Sequence, residues 1–493
     1  MPDGSFQVVP VQPDAEVDTF ADQILITLRS DWLGFEAGSL LAAPALDFMR
    51  SGSDESRQAM LTPLFTPSPT TSLEGRSESR HFVILNVLDT VLAELRFWRY
   101  DKISWVLEQT YKGEGLQAIS ASGVDAEHSD DIWITSSGFT QPSSYSLAHA
   151  TNPRKQARLR RELLKSLPAF YDSSGVRAEQ LFATSADGTM VTPASFQSLT
   201  LRRFHALHLA LHSQGAGWLE RGCAYVQARP LHPPPLLTRT LATSLTLQDG
   251  LQANIRGGGE FGPKWHQAAL KQNRHVAYED FEAVARDLVS RGITSPEKLA
   301  VQGGSNGGLL TGNMLVRSPE LFGAIVCQVP LLDMRRYHKL LAGASWMAEF
   351  GNPDSDWSFI QKYSPYHNLQ PARAYPPILF TTSTRDDRVH PGHARKMVRK
   401  LVDLGLPAYY YENIEGGHGG AADNKQRAFM SVLAYSFLQK SIVTSVLGGR
   451  KATTAAIAWH SRGVTRCQLP GWAMPALAAA SIIGFLVLQR SRH

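Results

Sequence analysis

The sequence predicts an α/β domain, built on a mostly parallel sheet with helices on both faces, preceded by an all-β region. Two observations carry this reading. From 254 to 440, short strand-like runs alternate with helical stretches, the pattern of a parallel sheet covered on both sides. Over 1–150, short apolar runs are separated by Gly, Ser, Asp and Pro without a helical period, the pattern of successive meanders. A length of 493 residues leaves room for two or three domains.

In chain order, residues 1–152 contain the strand-like runs Gln23–Leu28, His81–Val87 and Asp131–Thr135. A propeller blade takes about 40–45 residues, so this region could supply about three or four blades, a partial β-propeller-like unit. The basic stretch 153–166 (PRKQARLRRELLKS) reads as a linker with a solvated face rather than a nucleic-acid patch. The α/β domain then runs from 167 to 442. Within it, Asp187-Gly188 marks a turn between two strands. Residues 193–253 read as irregular or inserted, being Pro-rich and lacking both alternation and a capped helix. Tyr278–Arg291 has apolar residues at helical spacing and ends in Gly292. Lys298–Gln302, Pro377–Thr382 and Ala408–Glu412 read as strands, and Ala394–Leu404 as a helix. A C-terminal extension, 443–493, includes the uncharged stretch 471–488, which would contact a membrane only as a tail anchor.

Composition narrows the functional classes. With 43% hydrophobic and 19% charged residues, neither general disorder nor a multi-span membrane protein fits. The 49 Lys and Arg against 44 Asp and Glu are too slight an excess for a nucleic-acid binder. Cys223, Cys327 and Cys467 are too few and too scattered for a disulfide scaffold or a cysteine zinc site. The N-terminus shows neither a basic nor an apolar signal region. A cytoplasmic protein is expected, with anchoring to an intracellular membrane through 471–488 as the alternative.

The chemistry centres on Gly303-Gly304-Ser305-Asn306-Gly307, a G-x-S-x-G between a strand and a helix. Such a turn lifts the serine hydroxyl to a helix N-terminus, and side chains at Gly303 and Gly307 would collide with neighbouring backbone. The backbone N–H of Asn306 becomes an oxyanion donor. A serine needs a base, and the chain order Ser, Asp, His is expected. Asp386 and Asp387 follow one strand, and His418 follows the next within the loop EGGHGG. Two other motifs are weaker. Gly257–Gly262 formally satisfies G-x-G-x-x-G, with Asp280 near the distance of a ribose-binding acid, yet no strand leads in and no helix opens at the second glycine. A structural loop is the expectation. His390 and His393 lack an acid or cysteine to complete a metal site and read as loop and helix-cap residues.

At these residues the chain resembles the prolyl oligopeptidase family of serine peptidases. The resemblance rests on NIRGGGEFGPKWHQAALKQNRHVAYEDFEAVARDL (254–288), GITSPEKLAVQGGSNGGLLTGNML (292–315), QVPLLDMRRYHKLLAGASWMAEFG (328–351), TTSTRDDRVHPGHA (381–394) and NIEGGHGG (413–420). It implies an α/β-hydrolase domain capped by a β-propeller, a triad of Ser305, Asp386 and His418, and Asp386 rather than Asp387 as the acid. It also implies Arg388 on a substrate carbonyl, Trp346 stacking on a proline ring, and Phe350, Val329 and Val389 as pocket walls. The substrate implied is a short peptide cut after proline, with no cofactor and a monomeric enzyme. An esterase or acylaminoacyl hydrolase on the same triad is the alternative. The family's Tyr-Gly-Gly-Phe-like segment, whose tyrosine is the second oxyanion donor, has no counterpart in 193–216, so an impaired homologue is a further alternative. With too few residues for a full propeller, an open arc of sheets leaning on the α/β domain is expected.

Overall fold

The computed structural model describes residues 7–90, 92–138, 141–150, 159–169, 176–198, 206–207, 225–227 and 248–447. Its N-terminal region contains three four-stranded antiparallel sheets. The first holds β1 (Glu16–Phe20), β2 (Gln23–Thr27), β3 (Leu40–Pro44) and β4 (Thr62–Phe65). The second holds β5 (Thr71–Glu78), β6 (Phe82–Asp89), β7 (Leu92–Tyr100) and β8 (Trp105–Lys112). The third holds β9 (Gln117–Gly123), β10 (Asp131–Gly138), β11 (Ser144–His149) and β12 (Arg161–Ser166).

Period-two burial explains why these blade-like sheets stack. In β6, Val83, Leu85 and Val87 pack against the first sheet, while Phe82, Ile84 and Leu88 pack against the third. Both faces are buried, so the strand reads as a continuous apolar run instead of alternating with polar residues. The basic stretch departs from its expectation as a linker. Arg161–Ser166 form β12, the outer strand of the third sheet, with every residue exposed. One neighbour in the ladder suffices for an edge strand, and solvent accommodates its charges on both faces.

The α/β domain is organised on one sheet in the order β13-β15-β18-β17-β19-β20-β21-β22. Its strands are β13 (Val176–Gln180), β14 (Ala183–Thr184), β15 (Met190–Ser198), β16 (Ala206–Leu207), β17 (Tyr225–Gln227), β18 (Gln248–Asn254), β19 (Ala300–Gly304), β20 (Ala324–Gln328), β21 (Ile378–Ser383) and β22 (Tyr409–Asn413). The last four are parallel neighbours. The expectation that 193–253 is irregular is corrected at its described positions, since β15, β16, β17 and β18 all join the sheet. β17 has only three residues. It links β18 to β19 through Val226 opposite Leu251 and Tyr225 opposite Gln302. Backbone pairing needs no side-chain alternation, which is why this segment gave no strand signal.

The glycine-rich loop 257–262 is structural and lies where the two regions meet. Ser72 Oγ donates to the Glu260 carbonyl at 2.7 Å, and Lys264 Nζ pairs with Glu36 at 2.9 Å. Asp280, weighed as a ribose-binding acid, is fully buried. Its carboxylate accepts from the Arg256 backbone N–H and guanidinium and from Ser185 Oγ. It is therefore a structural anchor joining the helix His275–Ser290 to the chain before β15. Among the described residues no helix is long and apolar enough to cross a membrane. The stretch 471–488 lies outside the described residues.

Candidate active site

Three loops at the carboxyl ends of β19, β21 and β22 converge, the place where parallel sheets present ligand-binding groups. Ser305 follows β19 at φ 58 and ψ −115, directly before the helix Asn306–Arg317. This left-handed conformation is strained for serine and persists only where the surroundings fix it. Glycines make the turn possible. A Cβ at Gly303 would stand 2.3 Å from the Gly307 carbonyl oxygen, and one at Gly308 would stand 2.8 Å from that of Gln328. The Ser305 backbone N–H donates to the Gln328 carbonyl at 3.0 Å, binding the turn to β20.

Asp386 lies beyond β21 in a tight loop. Its Oδ1 accepts the backbone N–H groups of Arg388 (3.0 Å) and Val389 (2.8 Å). Its side chain is fully buried, while Asp387 is exposed. Beyond β22, Gly420 adopts φ 77, and a Cβ at Gly416 would meet the Gly420 backbone at 2.7 Å. Asn413 Nδ2 ties the loop back by donating to the Gly420 carbonyl at 2.9 Å and to Gln426 Oε1 at 2.7 Å. The loop thereby sets the His418 ring between the other two groups. Nδ1 lies 2.9 Å from Asp386 Oδ2, and Nε2 lies 3.0 Å from Ser305 Oγ. With the carboxylate ionised, Nδ1–H donates to Asp386, and Nε2 is left as the acceptor for the Ser305 hydroxyl.

The expected substrate-binding residues divide. Trp346 is partly exposed at the end of the turn Leu341–Trp346, and Arg388 is exposed beside Asp386. Phe350 is 1% exposed, Val389 2% and Val329 9%, so these three stand behind the site's surface. Phe350 is enclosed because the Tyr337 ring meets it edge-on at 5.7 Å and the Arg274 guanidinium lies 5.0 Å from its centroid. Arg274 and Glu349 were not singled out from the sequence. Both bind Asn306, from 32 and 43 residues away along the chain, and only folding reveals that. Residues 199–205 and 208–216, where the family's tyrosine-bearing segment belongs, lie outside the described residues.

The two histidines weighed as metal ligands have other partners. His390 Nδ1 accepts the Gly392 N–H at 3.0 Å, and buried His393 Nδ1 accepts the Asp333 N–H at 3.1 Å. Burial pushes His393 down to about 4, with Asp333 partly offsetting it. The unfolded chain, with a value near 6.5, therefore takes up a proton that the folded chain refuses until about pH 4. Stability should fall as pH drops from about 6.5 towards 4, by up to about 3 kcal/mol from this group alone. Urea midpoints at pH 7 and 4.5 check this. His393→Asn, which keeps an acceptor but cannot titrate, should show the smaller acid loss; equal losses would assign the acid sensitivity elsewhere.

The fold and the clustered groups define an α/β-hydrolase carrying a serine, histidine and aspartate in one hydrogen-bonded line, in a chain that also bears blade-like sheets. Residues 250–443 match the model of the prolyl oligopeptidase family. The chain is 36% identical over 465 residues to an uncharacterized peptidase of Sinorhizobium fredii, covering 90% of this chain and 59% of that protein. An uncharacterized peptidase of Rickettsia prowazekii is 32% identical, with 88% of this chain and 59% of that protein covered. A solved post-proline cleaving enzyme from Rickettsia typhi superposes with a TM-score of 0.73 at 30% identity, covering 88% of this chain and 61% of the other. Residues 250–443 are thus a domain of the prolyl oligopeptidase family, and the chain spans about three fifths of the length of these relatives.

Proposed function

We propose that the chain is a serine peptidase that hydrolyses short peptides on the carboxyl side of proline. The observation that carries this reading is His418 bridging Asp386 and Ser305 at 2.9 and 3.0 Å. Ser305 Oγ attacks the scissile carbonyl carbon while His418 Nε2 takes its proton. The carbonyl oxygen becomes an oxyanion beside the Asn306 N–H, at the positive end of the helix Asn306–Arg317. When the tetrahedral adduct collapses, the C–N bond breaks and His418 hands the proton to the leaving amine. Water then attacks the acyl-serine by the same proton path, releasing the acid and restoring Ser305. Asp386 keeps the imidazole in the right tautomer and offsets its charge. The triad needs no cofactor for this sequence of steps.

Proline preference rests on Trp346, whose partly exposed indole suits the flat face of a pyrrolidine ring, and on the relative that is a post-proline cleaving enzyme. Arg388, exposed beside the triad acid, is suited to hold a substrate backbone carbonyl. The test is the ratio of kcat/KM for matched peptides carrying proline or alanine before the cleaved bond. Trp346→Ala should reduce that ratio about tenfold, the worth of one aromatic stack. An unchanged ratio, with short esters still turned over, would favour an esterase or acylaminoacyl hydrolase on the same triad.

A further inference from the structure

Asn306 has a second attachment besides its place in the nucleophile turn. Its side-chain Oδ1 accepts from Arg274 Nη2 at 2.5 Å, and its Nδ2 donates to Glu349 Oε1 at 3.1 Å. Arg274 Nη1 donates to the same Glu349 oxygen at 2.7 Å, so the three side chains close a ring. Arg274 is 4% exposed. Burial, the largest single influence, opposes its charge, but Glu349 together with Tyr278 and Tyr363 outweighs it and holds the guanidinium's pKa above its ordinary value. Its cation also faces the Phe350 ring. The ring joins elements that carry different parts of the site: Asn306 follows the nucleophile, and Glu349 sits in the short helix Met347–Phe350 directly after Trp346.

We propose that Arg274 is a positioning residue for the nucleophile turn, fixing through Asn306 the amide that faces the oxyanion and, through Glu349, the segment bearing Trp346. The physical argument is rotation of one peptide plane. The Asn306 N–H belongs to the peptide that follows Ser305, and its direction is set by the strained Ser305 ψ of −115. A strained angle relaxes when its constraints go. Holding the Asn306 side chain by two hydrogen bonds resists that relaxation and keeps the N–H aimed at the developing charge. Misaiming one oxyanion donor can cost as much as losing it, about 10²–10³ in turnover, and Arg274→Met should show part of that.

This role rests on the triad reading, and the experiment separates the two. Wild type, Arg274→Met, Arg274→Lys, Asn306→Ala and the Arg274→Met/Asn306→Ala double variant are compared for fluorophosphonate labelling rate and peptide kcat and KM. Urea midpoints confirm that each is folded. Arg274→Met should slow labelling and lower kcat about 10–100-fold, part of the full donor loss. KM should rise by no more than about threefold, the share of the Trp346 segment, which loses one tie while the substrate contacts themselves remain. Arg274→Lys should recover part of the rate. Asn306→Ala keeps the amide but loses its anchor, so it should resemble Arg274→Met, and the double variant should be no slower than the slower single. If Arg274→Met does not fold, Asn306→Ala decides. A folded Arg274→Met, or in its place Asn306→Ala, labelled at the wild-type rate overturns the positioning role alone. So do losses that multiply in the double variant. An unlabelled wild type overturns the triad reading and this role with it.

Discussion

Ser305→Ala is expected to lower peptide turnover by about 10⁴–10⁶-fold without loss of fold. The size follows from what the hydroxyl does. Without Oγ there is no acyl intermediate, and His418 loses its 3.0 Å partner, so only a bound substrate and the oxyanion donor remain. The fold should survive, because a methyl group occupies less space than the side chain it replaces and the turn is held by its backbone. The Ser305 N–H still reaches Gln328, and Gly303 and Gly308 still permit the close approaches. Alanine must nonetheless adopt φ 58, so a modest stability change is expected. Peptide turnover and a thermal melt on the same preparation check both halves. Retained turnover in a folded variant would remove Ser305 from the chemistry.

Asp386→Asn is expected to lower kcat by about 10⁴, while Asp387→Asn, on the exposed neighbour, should leave it within a few-fold. The asparagine introduced in place of Asp386 can still accept the N–H groups of Arg388 and Val389 through its amide oxygen, so that orientation is favoured. The amide nitrogen then faces His418 Nδ1 and donates to it, which moves the ring proton to Nε2. With a proton there, Nε2 cannot accept from Ser305. The loss comes from the wrong tautomer rather than from a displaced ring. Matching pH–rate curves for the two variants check the assignment. A large loss in Asp387→Asn and a small one in Asp386→Asn would exchange their roles.

How much of this could be read in advance depends on how local each signal is. Ser305, Asp386 and His418 each follow an apolar strand and sit among glycine or turn residues, so their placement at one sheet edge follows from β19, β21 and β22 being parallel. The stacked sheets were legible as strands because β6 buries alternate residues in two different cores. β12 was not, because RELLKS carries no alternation when the strand is exposed on both faces. β17 was not, because its partners Leu251 and Gln302 lie far along the chain. Arg274 was not, because a single arginine before an amphipathic helix looks like any surface charge until Asn306 and Glu349 arrive around it. The enclosure of Phe350 was not legible for the same reason, since the groups that bury it come from other segments.

The central claim is that His418 activates Ser305 as a nucleophile in this chain. Peptide mass mapping after fluorophosphonate treatment of the folded protein tests it most directly. One adduct is expected, on the peptide bearing Ser305, slowed by Asp386→Asn and absent in Ser305→Ala. Folded wild-type protein that carries no adduct, or carries it on another residue, would contradict it.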